Sequence, residues 1–124
     1  TTNKRIASAN SKAVLHELQV ELIDRFGLLP DHLKNLFRVT ELKLDAHQLG
    51  IKKLEAGPSG GRVVFDNTTP IEPITIIQLI QKEPDTYRLQ GASELRFKRS
   101  MQTVEDRLQT TLSLLALLAE ETHD

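Results

Sequence analysis

Cysteine is absent from the 124 residues. That excludes disulfides, thiolate metal sites and cysteine nucleophiles, and it suits a reducing compartment, so the cytoplasm is the expected location. No charge of one sign dominates: 16 Lys and Arg against 17 Asp and Glu leave a net charge of -1, which provides no global field toward nucleic acid or an anionic membrane. No apolar run approaches the roughly 20 residues of a membrane span, and the polar start Thr1-Thr2-Asn3-Lys4-Arg5 is not a secretory signal. Internal repeats and low-complexity stretches are lacking too. An initiating Met is missing, which points to a module of a longer polypeptide. At this length one domain is expected, burying about two-thirds of the surface its unfolded chain exposes.

What is present is helical periodicity at the start. Residues 1–10 are polar and short-chained and read as a linker or lead-in, with Ser8, Asn10 and Ser11 as alternative N-caps. From Ser11 to Phe26, Leu15, Leu18, Leu22 and Phe26 recur on one helical stripe, a core-facing pattern, while Glu17, Glu21 and Asp24 lie opposite. Gly27 supplies the C-cap and Pro30 follows where a finished helix tolerates it. Val20 breaks the polarity of the outer face, an apolar residue set among three acids, and marks that face as a docking surface. A second helix over Asp31–Leu49, closed by Gly50, carries two apolar stripes and reads as central: Leu33, Leu36, Phe37, Thr40 and Leu44, then Val39, Leu42, Ala46 and Leu49.

After Gly50 the period changes to two. Ile51–Glu55 and Arg62–Phe65 flank the turn-rich Gly57-Pro58-Ser59-Gly60-Gly61, and Tyr87–Leu89 and Leu95–Lys98 flank Gln90–Ser93, giving two hairpins. Between them Pro73 opens a short helix to Lys82 whose isoleucines predict burial. A last helix runs from about Ser100 to Glu120, with Met101, Val104, Leu108, Leu112, Leu115 and Ala119 on one stripe. Its end, Leu114 to Ala119, spreads apolar surface around the cylinder and is either wedged inside the domain or meets something outside it. The predicted fold is α+β: helices packed on a small antiparallel sheet made of two hairpins.

Chemistry finds little support. His16, His32, His47 and His123 are scattered, without metal-site spacing. His47 sits near an apolar stripe and reads as a structural histidine. The Gly57–Gly61 loop fails as a phosphate cradle because Arg62-Val63 stands where a lysine and a hydroxyl residue are required, and a strand follows it. Arg96-Phe97-Lys98-Arg99, with Lys52, Lys53 and Arg62 on nearby strands, could form a basic sheet face. Simple alternation explains it better: Leu95 and Phe97 inward, Arg96 and Lys98 toward water.

Several stretches resemble the C-terminal domain of bacterial transcription-repair coupling factors. They are Lys4-Arg5-Ile6-Ala7-Ser8-Ala9, the block from Val20 through Pro30, Leu49-Gly50-Ile51 with Lys53-Leu54-Glu55, and Tyr87-Arg88-Leu89. Together they span most of the chain, and Glu21–Gly27 is the most specific. The resemblance implies a module of a large ATP-driven DNA translocase that removes stalled RNA polymerase and recruits nucleotide excision repair. It implies that residues 11–124 form a single, non-enzymatic C-terminal regulatory domain, without metal or cofactor. Such a domain packs against the N-terminal UvrB-like module of the same protein and covers the surface that would receive UvrA, so translocation stays restrained until polymerase is engaged. Carried over by position, Glu21, Asp24 and Arg25 lie at that interface, with Glu17 and Val20 on the same face. UvrA and RNA polymerase are then indirect partners, and no membrane is involved. The alternative is an accessory nucleic-acid-contacting domain using Lys52, Lys53, Arg62, Arg96 and Lys98.

Overall fold

The Ser11 hydroxyl, on an extended backbone, accepts the Val14 N–H at 3.2 Å and so starts the second helix of the computed structural model, which describes residues 1–120. His123 lies outside the described residues. The helices are α1 (Thr2–Ala7), α2 (Lys12–Phe26), α3 (Asp31–Gln48), α4 (Pro73–Lys82) and α5 (Val104–Glu120). The strands are β1 (Ile51–Ala56), β2 (Gly60–Phe65), β3 (Tyr87–Gln90) and β4 (Glu94–Lys98). The chain divides into two compact units, Thr1–Asp45 and Ala46–Asp124.

In the first unit, Leu15, Leu18 and Leu22 of α2 join Leu29, Phe37 and Ile6 in one buried apolar cluster, with Leu33, Leu36 and Leu44 packed against it. The expected lead-in is therefore helical at Thr2–Ala7, and its Ile6 is fully buried. Six residues are too few to hold a helix by propensity alone; burial of Ile6 supplies the stabilisation, and the Thr1 hydroxyl caps the end by accepting the Lys4 N–H. Lys12, at the start of α2, reaches α3 through Asp45 at 2.7 Å, a contact that raises the lysine pKa. At the other end of α2 the core stripe stops early. Phe26, predicted to face the core, is 67% exposed. Periodicity assigned it to the core stripe, but Phe26 is the last residue of α2 and is not part of the buried cluster.

The second unit holds a four-stranded antiparallel sheet in the order β1-β2-β4-β3, so the two hairpins join through β2 and β4. The α+β class and the two-hairpin sheet agree with the sequence reading. Val63, Phe65, Leu95, Phe97 and Tyr87 are buried on one face, as alternation requires. Ile51 reaches the same buried class only because a bulge between Ile51 and Lys53 shifts the register of β1. Leu108, Leu114, Leu115 and Leu118 of α5 are buried, so most of the apolar helix end is internal, while Leu117 stays exposed. Two expectations fail here. Val104 is exposed at the first turn of α5, and α4 is not largely buried: Ile74 and Ile77 both face solvent. Only Thr75 and Ile76 of α4 are buried, which gives it a narrow inner side.

Candidate functional site

Helix α2 arrays its exposed residues in two contiguous strips. On the side away from Leu15, Leu18 and Leu22 stand Glu17, Asp24 and Arg25, all exposed, with Glu21 half-buried. Val20, 51% exposed, stands among these acids on the outer side, and Ile23, also exposed, lies between them and the core side. The following loop adds Leu28, 92% exposed, beside the buried Leu29. Large apolar side chains this open, grouped within nine residues and next to charges, mark an interaction surface rather than scattered surface apolarity. Val20 was legible as the anomaly; Ile23 and Leu28 were not singled out, although Ile23 already sits off the leucine stripe, and periodicity assigns the exposed Phe26 to the core.

The charged members differ in what they are free to do. Glu21 accepts a hydrogen bond from Arg5 of α1 at 2.8 Å, with both side chains roughly half exposed, so this pair adds only about 0–1 kcal/mol while orienting the carboxylate. Asp24 makes no ion pair among the described residues, which leaves its carboxylate open. The Arg25 guanidinium lies over the exposed Phe26 ring, 5.3 Å from its centroid, and presents a combined flat apolar and cationic surface. Alongside, a groove of about 440 Å³ between α2 and α3 is floored by Leu15, Leu29 and Phe37, with Ile23 and Leu28 at its lip.

The basic sheet face is organised differently. Arg62 on β2 donates through Nε and Nη2 to both oxygens of Glu55 on β1, each at 3.1 Å, and through Nη1 to Glu94 on β4, also at 3.1 Å. Arg96 donates to the other Glu94 oxygen at 2.6 Å, and Lys53 lies 3.6 Å from Glu55. Three of the five cations named for nucleic-acid contact are thus committed to carboxylates of their own sheet, and Lys98 carries no such pair among the described residues. No group of three His, Cys, Asp or Glu among the described residues is placed to hold a metal. No helix among them is long and apolar enough to cross a membrane.

This network makes stability sensitive to acid. The hydrogen bond from Arg62 holds Glu55 below the usual carboxylate range, and Arg96, then Arg62, do the same for Glu94. A carboxyl with a depressed native pKa contributes stability that is fully present above its unfolded value, near about 4.3, and disappears as pH falls through the native value. In Arg62→Met the urea midpoint should therefore fall less steeply than in the parent chain as pH is lowered from about 6 to about 3. Parallel curves would show that Arg62 does not set these titrations.

Comparison with known proteins assigns the α2 segment to a family. The TRCF domain family matches residues 2–76, more than half of the chain and all of α2 and α3. The chain belongs to the TRCF domain family. It is 47% identical over 116 residues to the transcription-repair-coupling factor of Haemophilus influenzae, covering 94% of this chain and 10% of that protein. With the Escherichia coli K12 transcription-repair-coupling factor it shares 40% identity over 117 residues, again 94% of this chain and 10% of the relative. This TRCF chain thus spans a tenth of the length of those curated relatives. Its fold is that of the crystal structure of the C-terminal domain of transcription-repair coupling factor. The TM-score is 0.74 at 22% identity, over 98% of this chain and 79% of that one.

Proposed function

We propose that this TRCF domain is a non-catalytic, autoinhibitory module of a transcription-repair coupling factor. In this reading its α2 face docks on the N-terminal UvrB-like module of the same polypeptide. Docking masks the surface that would receive UvrA and restrains the ATP-driven DNA translocase until RNA polymerase is engaged. The carrying observation is the exposed strip of Val20, Ile23 and Leu28 beside the open Asp24 carboxylate. Apolar area supplies the contact, and the charges Glu17, Glu21, Asp24 and Arg25 fix register against a partner of complementary charge. An interface of this kind is weak alone, and tethering within one chain raises its effective concentration enough to keep it closed. A latch must also open, which suits exposed pairs rather than a buried core.

The test uses the full-length protein. Replacing Glu21 and Asp24 together by Ala should leave folding intact, because both lie on the outer side of α2, and should raise UvrA capture and basal ATPase about two- to tenfold, the range set by rim charges of about 0–1 kcal/mol each. Asp24→Ala alone should give much of the effect, since Glu21 is already shared with Arg5. Unchanged UvrA capture in a folded double variant would remove the basis for a latch on this face.

A further inference from the structure

The register of the sheet places three arginines in one row. Arg62 on β2 pairs with Arg96 on β4, and Arg96 pairs with Arg88 on β3, so like charges stand opposite each other twice, with Glu55 closing the row beyond Arg62. Directly opposed residues have Cβ atoms about 4.5–5.5 Å apart, where like charges repel. Glu55 and Glu94 relieve the β1 side of this row. The β3 side has no equivalent. Arg88 is exposed and makes no ion pair among the described residues, and the same holds for Lys98, two residues beyond Arg96 on the same face. These two cations open onto a concave region of about 1110 Å³ walled by the Gly57–Gly61 turn and by Pro84, Asp85 and Thr86.

From this arrangement we infer that the outer face of the sheet binds an acidic, extended segment of a partner protein. Two of its carboxylates, spaced i and i+2, meet Arg88 and Lys98. The spacing supports this occupant. Arg88 and Lys98 are diagonal neighbours across β3 and β4, a relation that separates residues by about 7–8 Å and their Cβ atoms by somewhat less, and alternate residues of an extended chain repeat about every 6.6–6.8 Å. The face already shows the recognition mode twice over, since Arg62 takes Glu55 through two parallel hydrogen bonds and Arg96 takes Glu94. A nucleic-acid strand fits less well. Its phosphates are continuous and would run past Glu55, Glu94 and Asp85, whereas isolated carboxylates address the two open cations alone. The site lies in the second unit and does not depend on the α2 reading.

The isotope-labelled chain titrated with an acetylated Glu-Val-Glu-Val-Glu peptide, followed by amide chemical shifts, tests the inference. Shifts should concentrate in β3, β4 and the Gly57–Gly61 turn, and weaken as salt rises. Arg88→Gln with Lys98→Gln should lower affinity about tenfold or more, the loss expected from charge-assisted hydrogen bonds, without changing the melting temperature, and a Gln-Val-Gln-Val-Gln peptide should be silent. Arg88→Gln alone gives an intermediate loss and guards against a folding defect in the pair. Absence of shifts at about 0.15 M salt, shifts indifferent to the double variant, or tighter binding of oligothymidine through the same residues would each overturn it.

Discussion

Replacing Gly50 by Ala is expected to destabilise the native state by about 2–5 kcal/mol, enough to lower the denaturant midpoint sharply. Two causes combine. Gly50 has φ +66, a left-handed conformation that costs other residues about 1–2 kcal/mol, and it hands the chain from α3 into β1. A Cβ there would also collide with the Thr69 Cα and stand 2.8 Å from the Thr69 Cβ. Thr69 has little room to retreat, because its hydroxyl donates to the Leu49 carbonyl at 2.6 Å and its N–H to Asp66. Asp66 in turn donates its N–H to the Gly50 carbonyl at 2.8 Å. Gly91 offers the control that separates the two causes: its φ is +70, but nothing lies within 4 Å of its missing Cβ. Gly91→Ala should show the conformational cost alone, and equal losses at both positions would refute the steric part of the account.

The second large effect belongs to Ile6. Truncation to Ala should cost about 2–5 kcal/mol, the usual range for removing a buried aliphatic side chain whose surroundings cannot fully collapse. Ile6 is fully buried in the cluster with Leu15, Leu18 and Leu22, whereas its neighbours Lys4, Arg5 and Ala7 are exposed. Arg5→Ala, which removes only the surface pair with Glu21, should change stability by less than about 1 kcal/mol. Urea denaturation of the three chains decides the matter. If the two variants lost equal stability, α1 would be held by its charge contact and not by its single buried residue. The same comparison touches function, because α1 orients Glu21 on the proposed docking face.

How far the sequence could be read varies along the chain in an instructive way. The ends of α2 were legible because a hydroxyl N-cap and a glycine C-cap act within a few residues. The strands were legible because alternation between Leu95, Arg96, Phe97 and Lys98 is a local pattern that the structure keeps. α1 was missed because one isoleucine gives no periodicity, and its burial is decided by leucines elsewhere in the unit. At α4 the error ran the other way. Its isoleucines announced burial, yet only Ile76 among them is buried, since composition states how much apolar surface exists and not how much of it a neighbour covers. The candidate site was half visible: Val20 stood out among acids, while Leu28 followed the helix in a loop where no period applies.

The sequence by itself determined the ends of α2, the order of the later helices and strands, and that a charged face with an apolar intruder lies on α2, because caps, turns and periodicity act between near neighbours. Only the tertiary structure decided that Ile6 is core and Phe26 is not, that Gly50 must lack a side chain beside Thr69, that Glu21 is shared with Arg5, and that three arginines line up across β2, β4 and β3. Coverage and register arise from contacts between residues far apart in the chain, and no local pattern encodes which surface will meet which.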